Sequence, residues 1–237
     1  MDKMKENTNT VLKNQADNEG RFDAFVTPTL NTFYNDDCMN WLPKCPPDFF
    51  ELAIVDPPYM ENNKALTTLG KKRTAFNVES FSPPTKDYFT ELFRVSKNQI
   101  IWGGNYFDLP ISRGWVCWDK MNAMDKFSDF ELAWTSFDVT TNLFKYCNNG
   151  GFIVSGMDAK IHPTQKPIKL YKWLLRTYAK AGDKILDTHA GSASCLVACK
   201  EMGFDYVGFE IDKDYWTIAN ERLGRAYYQP ELFGRSG

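Results

Sequence analysis

The sequence predicts an α/β fold: a mostly parallel, doubly wound sheet with helices on both faces. Three observations predict it. In the C-terminal half, "KILD", "SASCLVACKEM", "YVGFEID" and "KDYWTIANERL" alternate strand and helix patterns at short spacing. The strand-like pieces are nearly continuous apolar runs, as expected of strands covered on both sides. Several of these runs end on an acid, at Asp56, Asp187 and Glu210. Ligands of doubly wound sheets bind beyond the carboxyl ends of the strands.

In chain order, residues 1–24 are polar and lack a convincing period, so they are expected to form a flexible arm. Residues 25–237 then make a single domain, a size suited to one large core. "LNTFYNDDC" reads as a short strand ending in acids, and "CMNWLPKCPPDFFE" as a helical turn and loop. "LAIVD" is a buried strand that Pro57 and Pro58 stop abruptly. Residues 60–84 are rich in Asn, Thr, Lys and Ser and form a long loop, a length that usually serves a function.

"TKDYFTELFRVS" has helical spacing, whereas "NQIIWGG", "GWVCWDK" and "DFELAWTSF" are strand-like. The Trp-rich strands around Trp102, Trp115, Trp118 and Trp134 are expected in the core, with "WGGNYF" beside the pocket. Residues 138–160 read as irregular. Pro167 fits the first turn of a helix that keeps its period through Tyr178, with Gly182 as its C-cap. Gly203 closes the next helix, and Asp212 caps the last.

Bulk properties remove several classes. Hydrophobic residues make up 43% of the 237, enough for a sizeable core. No run reaches membrane-spanning length, and the N-terminus has no apolar signal core, so a soluble, cytoplasmic protein is expected. Six scattered cysteines with no C-x-x-C pair, and only two histidines, argue against a metal site. Cys195 and Cys199 read as buried thiols on one helix face. A net charge of −2 argues against a protein that merely coats nucleic acid, though Lys64, Lys71, Lys72 and Arg73 cluster in one stretch.

Two strand ends carry a nucleotide-type pattern. In "LDTHAGSAS", Asp187 closes the strand, and Ala190, Gly191 and Ser192 are small enough to let a ligand reach the backbone. Glu210 can accept hydrogen bonds from ribose hydroxyls. Read alone, the first is equally a tight turn capped by Ser192, and Glu210 equally a solvated acid.

"DPPY" (Asp56–Tyr59), "HPTQKP" (His162–Pro167) and "LDTHAGSAS" followed by "GFEID" occur in this order. Together they resemble the S-adenosylmethionine-dependent amino-group DNA methyltransferases, in the permuted arrangement called the beta class. The resemblance covers about Leu30 to Leu223. It implies a Rossmann-like methyltransferase fold with an antiparallel edge strand and a circularly permuted motif order.

By position, the resemblance implies that Asp187 and the turn through Gly191 hold the methionine portion of the cofactor. Glu210 would bind its ribose and Asp37 its adenine, with Asp36 as fallback. His162, Thr164, Gln165 and Lys166 would lie near the methionine end. Asp56 would border the cofactor and, with Pro57, Pro58 and Tyr59, form the catalytic tetrapeptide. There the Asp56 carboxylate and the Pro57 carbonyl accept the two N–H bonds of an exocyclic amino group, and Tyr59 stacks on the flipped base. An Asp in first position points to adenine N6 rather than cytosine N4; RNA, a protein glutamine, or a non-catalytic binding relative are the rivals.

Double-stranded DNA is the implied partner, contacted through Lys64, Lys71, Lys72 and Arg73 and through loops 60–84 and 138–160. The second loop is short, so the recognition site is short or is read partly by a second subunit of a homodimer. The resemblance places such a protein in a prokaryotic or phage-encoded cytosol, paired with a restriction enzyme or solitary. The glycine turn departs from the family pattern Asp-Pro-Phe-x-Gly-Ser-Gly at Thr188, His189 and Ala193, which predicts an altered pocket wall.

Overall fold

The computed structural model describes residues 25–59, 82–121, 128–147, 161 and 165–228. The expected arm at 1–24, most of loop 60–84 and the second half of 138–160 lie outside them. So do Lys64, Lys71, Lys72, Arg73, His162 and Thr164.

The strands are β1 (Thr32–Tyr34), β2 (Phe50–Val55), β3 (Ser96–Trp102), β4 (Trp115–Asp119), β5 (Phe130–Thr135), β6 (Asn142–Lys145), β7 (Lys184–Asp187) and β8 (Asp205–Phe209). They form one sheet in the order β1-β8-β7-β2-β3-β5-β4-β6. The helices are α1 (Lys86–Val95), α2 (Ile168–Tyr178), α3 (Ser194–Met202) and α4 (Lys213–Arg225). Alternation along β2 explains the two layers. Leu52 and Ile54 join the core that holds Leu170, Leu174 and Leu175 of α2 and Leu196 of α3. Ala53 and Val55 point to the other core, with Tyr88, Leu92 and Val95 of α1. The sheet is therefore covered on both faces, as its apolar runs require.

β1, β8, β7, β2 and β3 are mutually parallel. From β7 the chain winds through α3 to β8, whereas from β2 it winds through α1 to β3, in the opposite direction across the sheet. The β2–β7 seam is thus the topological switch point, where such sheets bind ligands. β2 precedes β7 by more than a hundred residues yet pairs with it through Leu52 and Ala53, which is the permuted order.

Three local expectations need correction. The antiparallel strand is not at an edge: β5 lies between β3 and β4 and runs antiparallel to both. Its Ala133, Trp134 and Thr135 are buried, which suits an interior strand. β6 falls in the stretch read as irregular. It pairs on one side only, so its residues alternate between half-buried and exposed and give no apolar run. Finally, α2 ends at Tyr178 with the extended Ala179 as C-cap. Gly182 spends its positive φ of +88° in a turn before β7, closed by the Asp183 carboxylate on the Lys180 N–H.

Other details agree with the sequence reading. Asp212 caps α4 by accepting from the N–H groups of Asp214 and Tyr215. Cys195 and Cys199 are buried free thiols, and Trp102, Trp118 and Trp134 are core residues. Among the described residues, no helix is long and apolar enough to cross a membrane.

Candidate active site

Four acids stand at the carboxyl ends of four adjacent strands. In sheet order they are Asp37 after β1, Glu210 after β8, Asp187 closing β7 and Asp56 after β2. Neighbouring strands lie about 4.8 Å apart. The row therefore offers several acceptors along one end of the sheet, a pattern suited to an elongated ligand with several donors.

The turn after β7 brings the backbone to the crevice. Gly191 and Ala193 both have positive φ, +51° and +57°, and Ala193, not Ser192, is the N-cap of α3, with no side-chain cap. Such curvature favours residues without bulk. Ser192 bonds Ser194 at 3.0 Å, and Arg222 of α4 grips the Ser192 carbonyl at 2.7 Å. Glu210 clamps the same turn: one carboxylate oxygen accepts from the Gly191 N–H and the other from the Asp212 N–H, each at 2.9 Å. Each oxygen keeps a lone pair for a further donor. Burial raises the Glu210 carboxyl above its usual value.

Asp187 is buried, and burial pushes its carboxyl up to about 8 despite the His189 N–H that it accepts. A buried acid so short of cations suits a cationic ligand group. Asp36 and Asp37 separate cleanly. Both oxygens of Asp36 are used, by the Asp37 N–H, the Asn40 amide and the Trp41 indole. Asp37 accepts from the Met39 N–H through Oδ1 and also bonds the Cys38 thiol.

The departures at Thr188 and His189 form a network with α1. The Tyr88 hydroxyl lies 2.6 Å from Thr188 Oγ1, and Thr188 Oγ1 lies 2.9 Å from His189 Nδ1. The Tyr88 and His189 rings meet edge to face. Burial pushes His189 down to about 4, so the ring is neutral near pH 7. The simplest proton order has Tyr88 donating to Thr188, Thr188 donating to Nδ1, and the proton of His189 on Nε2.

At the other side of the seam, β2 delivers "DPPY". One Asp56 oxygen, Oδ2, accepts from Lys166 at 2.5 Å. The other, Oδ1, is buried and has no hydrogen-bond partner among the described residues. Burial pushes the Asp56 carboxyl up, against the pull of Lys166. Tyr59 stacks on Tyr106 at 4.7 Å with an interplanar angle of 3°, and burial pushes its hydroxyl up to about 12. Gly103, at φ +67°, lies against the Tyr59 ring; an added Cβ would sit 2.5 Å from Cδ1. "WGGNYF" therefore borders the tetrapeptide.

Gln165 and Lys166 are both buried. Gln165 accepts from the Ile161 N–H at 2.9 Å. Lys166 pairs with Asp56 and with Glu131, 3.1 Å away. Glu131 and Tyr88 were not singled out by the sequence, and Tyr106 only as part of "WGGNYF". Glu131 had one signal, an acid inside the otherwise apolar "DFELAWTSF".

Comparison with known proteins agrees with this geometry. The model of the N6/N4 DNA methylase family matches residues 96–221, just over half of the chain. The type II methyltransferase M.HpaI of Haemophilus parainfluenzae is 36% identical over 78 residues, covering 33% of this chain and 22% of the relative. M2.DpnII of Streptococcus pneumoniae is 26% identical over 140 residues, covering 59% and 47%. The chain spans less than half the length of these two relatives. The crystal structure of an M1.HpyAVI–SAM complex shares the fold, with a TM-score of 0.55 and 20% identity over 81% of this chain and 98% of that one. The permuted seam, the acid row and the matched family model converge: the chain belongs to the N6/N4 DNA methylase family.

Proposed function

We propose that this protein transfers a methyl group from S-adenosylmethionine to the N6 amino group of adenine within a short sequence of double-stranded DNA. The observation that carries the reading is the buried, unpartnered Asp56 Oδ1 one strand from the cation-poor Asp187. The residues present fit the cofactor: Asp187 for its ammonium, Glu210 for its ribose hydroxyls, Asp37 for its adenine, and the Ala190–Ser192 turn for close backbone approach. When bound, it supplies an electrophilic methyl group on a sulfonium.

The chain then has to prepare the nucleophile. An exocyclic amino group is unreactive because its lone pair is conjugated with the ring. Asp56 Oδ1 and the Pro57 carbonyl accept its two N–H bonds and draw the pair out of conjugation. The proline pair fixes both acceptors beforehand, so they cost no reorganisation during transfer. Asp56 Oδ1 would then be placed to take the proton that the amino nitrogen releases once it carries the methyl, the sulfonium having left as a neutral thioether. Tyr59, backed by Tyr106, supplies a stacking face for the flipped base. Lys64, Lys71, Lys72 and Arg73 supply phosphate contacts.

The test is tritiated methyl transfer to unmethylated DNA followed by nucleoside analysis. Label in N6-methyladenine is expected. Label only in N4-methylcytosine overturns the base assignment, and cofactor binding without transfer to any DNA overturns the catalytic reading.

A further inference from the structure

We propose that Lys166 and Glu131 are positioning residues for Asp56: Lys166 holds Oδ2, so that Oδ1 alone is presented to the target amino group, and Glu131 fixes Lys166. The inference rests on the catalytic reading of Asp56 given above. Lys166 is buried, and its ammonium touches Asp56 Oδ2 at 2.5 Å and Glu131 Oε2 at 3.1 Å. It also lies 5.0 Å from the centroid of the Trp102 ring, whose face attracts a cation. Glu131 is held in turn by Lys120 at 2.8 Å. The chain Lys120–Glu131–Lys166–Asp56 alternates in charge and balances to zero. A buried lysine is tolerated only when paired. Here its pairing fixes one carboxylate oxygen and leaves the other free.

Topology explains why these residues meet. β5 runs antiparallel to β3, so its beginning, not its end, reaches the edge where Asp56 leaves β2. Glu131 is the second residue of β5. Lys166 enters from the segment just before α2. A fixed carboxylate also matters for reactivity. With Oδ2 tethered, the carboxylate cannot rotate to present both oxygens to one N–H, and Pro57 remains the acceptor for the second.

The test uses the full chain with Lys166→Gln, Lys166→Arg and Glu131→Gln. The charged or titratable groups around Asp56 are Lys166 before α2, Glu131 on β5, Lys120 after β4, Tyr59, Tyr171 on α2 and Asp187 on β7. One readout is independent of activity: the carbon-13 titration of the Asp56 carboxyl, assigned by its loss in Asp56→Asn. Lys166→Gln removes the attracting cation and moves the midpoint up by at least about one pH unit. Lys166→Arg restores it, and Glu131→Gln moves it down, because a repelling anion is gone.

In transfer assays, Lys166→Gln lowers kcat at least about 100-fold, while the affinity for S-adenosylhomocysteine stays within about threefold. An unshifted Asp56 midpoint in Lys166→Gln overturns the proposal. So does a roughly tenfold loss of S-adenosylhomocysteine affinity with kcat preserved, which makes Lys166 a cofactor ligand. Failure of the wild type to methylate any DNA sinks the catalytic reading instead, and the titration still decides whether the tether exists.

Discussion

Replacing Asp187 with Asn tests the cofactor site through pH. Burial holds the Asp187 carboxyl at about 8 in the free protein. If a ligand ammonium pairs with it, binding requires the ionised form, and affinity rises with pH. At pH 5.5 roughly 0.3% of the carboxyl is ionised and at pH 7.5 roughly a quarter, with a ligand α-amino group titrating near 8. Together these predict roughly fifty-fold tighter binding at pH 7.5 than at pH 5.5. S-adenosylhomocysteine, which keeps the ammonium, is the probe, and equilibrium dialysis reads the dissociation constant. His189 sits at about 4 and stays neutral across this window. Any slope left in Asp187→Asn belongs to Glu210, Asp56 or the ligand's own amino group. The amide oxygen that this substitution introduces can still accept from the His189 N–H, so the turn is retained.

Stability without ligand moves the opposite way. Asp187 has a folded value above its unfolded one, so ionising it destabilises the fold. Apo-protein stability falls as pH rises from about 4 to about 8, by at most about 6 kcal/mol from this group at about 1.4 kcal/mol per unit. Asp187→Asn removes that fall. An identical pH slope of affinity in wild type and Asp187→Asn would refute the assignment of Asp187 to a cationic ligand.

Three further perturbations probe separate parts of the site and core. Asp56→Ala removes the amino-group acceptor: methyl transfer is expected to fall below detection while S-adenosylhomocysteine binding survives, and wild-type turnover would sink the mechanism. Gly103→Ala places a Cβ 2.5 Å from the Tyr59 ring at a φ that disfavours any side chain. It is expected to lower kcat about tenfold or more with cofactor affinity unchanged, as measured in transfer and dialysis assays. Gly208→Ala drives a Cβ to 2.4 Å from Leu196 Cδ1 in a fully buried contact, costing about 1–3 kcal/mol in urea unfolding. Leu196→Ala alone costs about 2–5 kcal/mol, and the double variant should lose less than the two summed.

The sequence made the parallel half of the fold legible because its signals are local. "LAIVD" and "KILD" are apolar on both faces, and α3, α4 and the Asp212 cap carry their own periodicity and capping chemistry. The acids at strand ends were legible for the same reason. What escaped depends on contacts distant in sequence. β6 hid because an edge strand needs no apolar run. The end of α2 was misplaced because Gly182 serves the Lys180–Asp183 turn instead. The partners of Lys166, Asp56 and Glu131, lie 110 and 35 residues away in the chain, so no local pattern could pair them.

The position of Glu131 shows what the sheet adds to the motifs. The parallel strands can bring only their carboxyl ends to the crevice, so residues there leave the strand as the chain turns away. β5 is the one described strand that enters from that side. Its early residues are held by ladder bonds while facing the site, with Glu131 opposite Trp118 of β4. A charge carried on such a strand is more rigidly placed than one on a loop. This accounts for the division of labour in the acid row. Asp37, Glu210 and Asp187 stand on turns and strand ends, and one strand further on, Asp56 is braced by a lysine anchored to an interior strand. Methyl transfer needs its nucleophile aligned more strictly than its cofactor needs holding. The braced acid is the one at the tetrapeptide, where that alignment has to be made.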